Sequence, residues 1–408
     1  MSKISRVKAR QVFDSRGNPT IEAEVFVNNY SSSSICPSGA STGSYEVHEK
    51  RDKSNKKYLG KSVYKAINII NKKISKKLKN QNIHNQEKID SILINLDGTK
   101  QKVKLGGNSI LAVSMAAKKL SAKIKKIPLY KSFIVKKNFK LPYPLMNIIN
   151  GGAHANNGLR IQEFMIRPDK ANNFKEAISI CFMVIKKLKS ILIGKNFSTN
   201  LGDEGGFAPS LSNNEEAIEF ILKAIEIAGF KAGEDVSVCL DVAANELYKE
   251  KKYSINSSKY ISSDKATEYY LDLVKRYPIK SIEDPFFEDD WDAWSNFTEL
   301  ANKDIQIVGD DLFVTNKERL SKGINLKAAN TILVKPNQIG TLTETLEVIN
   351  LAHKNNYKTV ISHRSGDSED TFIADLAVAT HSSQIKSGSL ARSERVAKYN
   401  RLLRIEDE

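Results

Sequence analysis

Asp241 follows the apolar stretch SVCL, Glu283 follows IKSI and Asp310 follows IQIVG. Farther along, the same strand-then-polar pattern delivers Lys335 (TILVK), His363 (TVISHRSG) and Lys386 (QIKSGS). Acids at buried strand ends are costly to keep ionised without a cation or a base partner. Three together ask for a hard divalent cation, and Mg²⁺ is the expected one. A lysine after TILV is partly desolvated, which is expected to lower its pKa toward that of a working base. SHRSG groups an imidazole, a guanidinium and a hydroxyl in consecutive residues, a set that suits an anion such as phosphate. Together these residue types can do the chemistry of a metal-dependent enzyme.

Four loop-like motifs add candidates. PSGASTG (37–43) is built of small residues that can fold over a ligand, although such a loop is more often a turn. NGGAHA (150–155) carries His154 at its tip beside a Gly-Gly that allows close backbone approach. IQEFMI (161–166) alternates, which places Gln162 and Phe164 on one side and Glu163 on the other. GDEGGFAP (202–209) cannot be helical, and its Gly-Gly forfeits core packing, so a functional carboxylate is expected there.

The elements that must position these residues follow from periodicity. Members of the series from Asp241 to Lys386 are 23 to 42 residues apart, about one strand plus one helix with its loops. That is the repeat of a β/α barrel, in which the carboxyl ends of all strands meet at one face. Residues 1–138 read differently: expected strands at 4–13 and 20–27 are joined by DSRGNP, and a helical stretch runs from about 58 to 130. Apolar residues at 63, 67, 70, 74 and 78 lie on one face of that stretch. This is an α+β unit, and LPYPLMNIINGG (141–152) opens the second unit, spanning 139–408.

A chain of 408 residues with 40% hydrophobic and 27% charged content is long enough for two globular domains. No apolar run approaches a membrane span and the basic N-terminus is not a secretory signal, so a cytoplasmic location and no membrane partner are expected. Cys36, Cys181 and Cys239 are scattered, which fits a reduced cytosol and gives no metal or redox motif. Cys239 reads as a small core residue. The formal charge of +16 raises the question of nucleic acid. The lysines are spread over helical faces and accompany abundant Asn and Ile, so compositional drift outweighs a dedicated surface. Nucleic acid is not expected as the primary partner.

The same residues carry a family resemblance. DSRGNPT, PSGASTG, NIINGGAHA, IQEFMI, GDEGGFAP, SIEDPF, GDDLFVTN, LVKPNQIGT, ISHRSG, TFIADLAV, QIKSG and RSERVAKYNRLLRIE occur in the order found in enolases (phosphopyruvate hydratases), so the chain resembles that family over essentially its whole length. The resemblance implies an α/β fold: an enolase-type ββαα(βα)₆ barrel preceded by an α+β cap domain. It implies a lyase that reversibly dehydrates 2-phosphoglycerate to phosphoenolpyruvate with two Mg²⁺ per active site, acting in glycolysis and gluconeogenesis as a homodimer or higher homo-oligomer. Carried over, Asp241, Glu283 and Asp310 bind the first Mg²⁺, and Ser41 coordinates the second. Lys335 is the base for the C2 proton, and Glu204 is the acid for the C3 hydroxyl, assisted by Glu163. Lys386 contacts the substrate carboxylate, Arg364 and Ser365 the phosphate, and His154, Gln162 and His363 lie around the substrate with Glu163, Glu283 and Asp310.

Glu204 is expected to hold its proton at the start, and Lys335 to be neutral. Departures from the family pattern are Pro336, which removes a donor beside Lys335, and His48 and Lys50, expected to loosen cap packing. The ending RIEDE is shorter than in relatives and reads as a trimmed surface segment. Two alternatives stay open. One is a superfamily relative acting on another carboxylate; SHRSG, Lys335 with Lys386, and PSGASTG weigh against it. The other is a non-catalytic or dual-role scaffold that binds RNA or a protein through its basic surface; the intact acid, base and metal sets weigh against that.

Overall fold

The computed structural model describes residues 2–40, 42–53, 57–133, 139–256 and 259–408. The N-terminal unit is an antiparallel sheet, β1 (Arg6–Phe13), β2 (Pro19–Val27) and β3 (Tyr30–Ile35), in that order. Ile21, Ala23, Val25 and Val27 of β2 alternate inward, as a half-buried strand requires. The DSRGNP turn closes with Asp14 N–H donating to Asn18 O at 2.9 Å.

Helices α1 (Tyr64–Ile69) and α2 (Ser75–Leu78) are joined by one π turn over Ile70–Ile74. Val63, Ile67, Ile70, Ile74 and Leu78 are all buried, so the stripe read from spacing faces the core. Then come α3 (Gln86–Asp97), capped by the Asn85 side chain, and α4 (Gly107–Lys125). α4 is buried through most of its length because it packs against β2 and β3 on one side and the barrel domain on the other.

The second unit is a closed eight-stranded barrel. It begins with β4 (Tyr143–Asn150), β5 (Glu163–Pro168), α5 (Phe174–Gly194) and α6 (Asn214–Ile227). It continues with β6 (Val236–Asp241), a small ribbon β7 (Tyr248–Lys249) and β8 (Lys252–Tyr253), α7 (Ser263–Arg276), β9 (Ile279–Glu283) and α8 (Trp291–Leu300). Next are β10 (Gln306–Gly309), α9 (Lys317–Leu326), β11 (Thr331–Val334), the short α10 (Pro336–Ile339) and α11 (Leu342–Lys354). β12 (Lys358–Ser362), α12 (Phe372–Ala379), β13 (Gln384–Lys386) and α13 (Ser393–Asp407) complete the unit. The barrel order is β4-β5-β6-β9-β10-β11-β12-β13, with β5 antiparallel to both neighbours and the other pairs parallel. The opening is therefore ββαα, as the resemblance implies.

Leu145, Met165, Cys239, Val308, Leu333 and Val360, one from each of six strands, form a separate buried cluster that fills the barrel interior. Burial pushes the Cys239 thiol up to about 12, which suits an inert core residue. His48 and Lys50 are both tied into the cap by hydrogen bonds. The His48 backbone bridges Gln101 O and Gly107 N–H at 2.8 Å each, and Lys50 Nζ donates to Val103 O at 3.0 Å. Among the described residues no helix is long and apolar enough to cross a membrane.

Buried polar contacts hold the two units together. Asp90 of α3 accepts Thr343 N–H at 2.9 Å and its hydroxyl at 2.6 Å, which caps the start of α11. Asp370 accepts from Lys119 Nζ at 2.6 Å, Ser34 Oγ at 2.5 Å and Ile35 N–H at 3.1 Å. Burial alone would raise the Asp370 pKa, but Lys119 and these donors hold it below the usual value. A depressed carboxylate stabilises the fold above its unfolded pKa, near 4, and that contribution is lost as pH falls through the lower folded value. Asp370→Asn is expected to lower stability at neutral pH by about 1–3 kcal/mol. The difference from wild type should shrink below about pH 4. Urea unfolding across that range measures both, and an undiminished gap at low pH would refute the linkage.

Candidate active site

Strand register brings the acids level. Glu163 on β5 pairs with Asp241 on β6, and Asp241 pairs with Glu283 on β9. Asp310, Lys335 and His363 each directly follow a strand (β10, β11 and β12), and Lys386 ends β13 beside Ser362. Except for Glu283, which reaches it through Lys386 Nζ, these residues line one pocket at the barrel mouth, together with His154, Gln162, Glu204, Arg364 and Ser365. Glu163 is there because β5 runs antiparallel and starts at that end. Ser41, the expected ligand of a second cation, lies outside the described residues.

Lys386 is the centre of charge. Its buried Nζ lies 2.8 Å from Asp241 Oδ2, 2.9 Å from Glu283 Oε1 and 3.2 Å from Glu163 Oε1. Burial disfavours the ammonium, yet Asp241, Glu163 and Glu283 outweigh it and raise its pKa well above the ordinary value. Lys335 Nζ pairs with Asp310 Oδ2 at 2.5 Å. Burial again opposes the charge, but the Asp310 carboxylate wins and the Lys335 pKa is raised. The expected neutral base is thus a charged ammonium in this arrangement, because desolvation counted from the sequence omits the acid that the fold places beside it. Pro336 takes nothing from Lys335. It is the first residue of α10, where a missing N–H has no helical acceptor to lose, and Lys335 N–H donates to Thr315 Oγ1 at 2.9 Å.

Across the pocket, His154 Nδ1 lies 3.6 Å from Glu163 Oε1 and 3.7 Å from Glu204 Oε1, and His363 Nε2 lies 3.3 Å from Glu204 Oε2. Burial and the Glu204 charge push Glu163 well above the usual carboxylate range. Glu204 is also buried, but His363, His154 and Arg395 hold it well below that range. Burial lowers the His363 pKa to about 4, so its ring is neutral. Burial and neighbouring charges thus push the two carboxyls in opposite directions, Glu163 up and Glu204 down, in the metal-free arrangement.

The chain matches the family model "Enolase, N-terminal domain" over residues 4–133 and "Enolase, C-terminal TIM barrel domain" over residues 138–408. The chain belongs to the enolase family. A curated relative, the enolase of Pelagibacter ubique (strain HTCC1062), is 68% identical over 408 residues, which is 100% of this chain and 97% of the relative. As an enolase-family member it is an enzyme of the lyase class.

Enolases depend on a metal in general, and acidic clusters of this site could hold one. Among the described residues, Asp284, Asp310 and Asp311 bring ligand oxygens within 4.8 Å of one another, as do His154, Glu163 and Glu204. The expected trio is arranged differently: Lys386 binds both Asp241 and Glu283, while Asp310 turns to Lys335 and to Gln338 Nε2 at 2.8 Å. The donor chemistry nevertheless fits a hard divalent cation. Glu283 Oε2 is buried with no hydrogen-bond partner. Burial and then Asp241 push Glu283 well above the usual range, and burial and then Asp311 do the same to Asp284. A cation among these oxygens would relieve that repulsion.

Asp284 was missed, although SIEDPF and GDDLF each show a second acid beside an expected ligand. It accepts the N–H groups of Asp310 and Asp311 at 2.8 Å each and so orients both. Glu46 was missed too. It holds Arg364 through two contacts of 3.0 and 3.1 Å, while Ser365 Oγ accepts Ala40 N–H at 2.7 Å. Both expected phosphate ligands therefore engage the 37–46 loop in this arrangement. Gln162 and Glu163 share the pocket instead of opposing each other, because β5 begins only at Glu163. Gly205 and Gly206 also have a packing reason. Gly205 has φ +84°, and a Cβ on Gly206 would meet Asn150 Oδ1 at 2.7 Å, so the glycines admit the Glu204 loop against β4.

Proposed function

We propose that the chain catalyses the reversible dehydration of 2-phosphoglycerate to phosphoenolpyruvate. The observation that carries this reading is one buried pocket shared by Lys335, the Glu163–Glu204–His154 cluster, Arg364, Ser365 and Lys386. Lys335 Nζ takes the C2 proton, which requires it to leave its ion pair with Asp310 and become neutral. Glu204 protonates the departing C3 hydroxyl, with Glu163 as the neighbouring store of that proton. Arg364 and Ser365 bind the phosphate in exchange for Glu46 and the Ala40 amide, and Lys386 faces the substrate carboxylate. Asp241, Glu283 and Asp310 would hold one Mg²⁺, and Ser41, which lies outside the described residues, would hold a second. When bound, Mg²⁺ supplies positive charge against the negative charge that accumulates on the substrate carboxylate as the C2 proton leaves.

The same reading divides the chain into a cap domain, 1–138, and a barrel domain, 139–408, although residues 134–138 lie outside the described set. It makes the enzyme a cytoplasmic homodimer or higher homo-oligomer acting in glycolysis and gluconeogenesis, which sedimentation and fractionation test. Phosphoenolpyruvate formation, followed by ultraviolet absorbance, should require Mg²⁺ and stop with EDTA. Folded, Mg²⁺-loaded protein that gives no turnover on 2-phosphoglycerate would end the reading.

A further inference from the structure

The C-terminal motif RSERVAKYNRLLRIE has no part in the chemistry above, yet it contributes the most deeply placed cation near the pocket. Arg395, in the first turn of α13, is 0% exposed. Its Nη1 donates to Arg364 O at 2.5 Å and lies 2.7 Å from His363 Nδ1. Its Nη2 donates to Ser365 O at 2.6 Å and to Asp203 O at 3.2 Å. One guanidinium thus grips the loop that carries His363 and the carbonyl immediately before Glu204.

The chemistry of the donor decides the tautomer. A guanidinium has N–H donors and no acceptor, so His363 Nδ1 must present its lone pair, and the ring proton resides on Nε2. Nε2 lies 3.3 Å from Glu204 Oε2, close enough for electrostatic contact but without hydrogen-bond alignment in this arrangement. The opposite tautomer would set two lone pairs against each other at that buried contact and leave Arg395 donating to another N–H. The Glu204 side is held by the same segment: Ser389 N–H donates to Glu204 O at 2.9 Å, and Arg392 Nε donates to Gly202 O at 3.0 Å.

We propose that Arg395 is a positioning residue for the acid half of the reaction: it fixes His363 as the Nε2–H tautomer and holds that edge of the ring beside the Glu204 carboxylate. The proposal rests on the reading above for the part Glu204 plays, while the tautomer itself rests only on this geometry.

Isotope-labelled histidine in the full-length protein allows the ring nitrogens of all 6 histidines to be read by NMR, with His363→Gln assigning the signal. Wild type is expected to show a protonated Nε2 and a bare Nδ1 at His363. Arg395→Gln should shift the ring toward Nδ1–H and lower kcat about 10- to 100-fold with little change in KM. Arg395→Lys, which keeps a donor, should retain the wild-type tautomer and recover much of the activity. A wild-type His363 that is Nδ1–H or doubly protonated overturns the proposal, as does a folded Arg395→Gln whose tautomer is unchanged. Should Arg395→Gln not fold, the wild-type and Arg395→Lys spectra decide. Absence of wild-type turnover would remove the functional reading and leave the tautomer tested on its own.

Discussion

Lys335→Ala is expected to lower kcat about 100- to 10,000-fold, the loss typical when a general base is removed, while the protein stays folded. The reason lies at the end of β11, where Lys335 is the cation that TILV delivers into the pocket and that Thr315 fixes through its backbone N–H. Glu204→Gln should lose turnover to a similar degree by a different route. If Lys335 acts at C2 and Glu204 at C3, substrate incubated in deuterated water should still exchange its C2 proton with Glu204→Gln and should not with Lys335→Ala. The two variants are told apart by mass spectrometry of recovered 2-phosphoglycerate. Exchange that survives Lys335→Ala would assign the base elsewhere.

Lys386→Met is expected to be the most damaging single change to the metal-free protein, by about 3–5 kcal/mol, because it removes one partner from a buried ionic group. Glu163, Asp241 and Glu283 all lie within 3.2 Å of Lys386 Nζ and would be left facing one another. Without that cation Asp241, which Lys386 holds below its ordinary value against burial, should rise, and Glu163 and Glu283, already above theirs, should rise further. Stability is then lost as pH rises above about 4.5, and the variant should approach wild type in acid. Saturating Mg²⁺ should restore part of the loss, about 2.7 kcal/mol at a hundredfold excess over Kd. Denaturant titrations with Mg²⁺ or EDTA at several pH values measure all three effects. A variant as stable as wild type in EDTA at neutral pH would show that the lysine does not hold these acids.

Much of this site was legible before the fold was known. A strand of Val and Ile that ends in Asp, Glu, Lys or His has few bland explanations, and six such ends in order outline a barrel mouth. The cap helices were equally open, since residues 63 to 78 show their buried stripe at helical spacing. Pairing was not legible. IQEFMI alternates within β5, but Gln162 precedes the strand, so alternation counted from it put Gln162 and Glu163 on opposite sides although both line the pocket. Asp284 and Asp311 were visible as doubled acids, yet only barrel closure shows that Asp284 receives both neighbouring amides.

The amino-acid order by itself determined which charged or imidazole side chain stands at the end of six barrel strands and which glycines let loops approach. Tertiary structure decided the electrostatics: against burial, Asp310 raises the Lys335 pKa, while burial with the Glu204 charge pushes Glu163 up and the cations around Glu204 push it down. Strand ends follow from local periodicity, which a short window contains. Charge states depend on burial and on separations of a few ångströms between residues tens of positions apart, and only the closed barrel sets those distances.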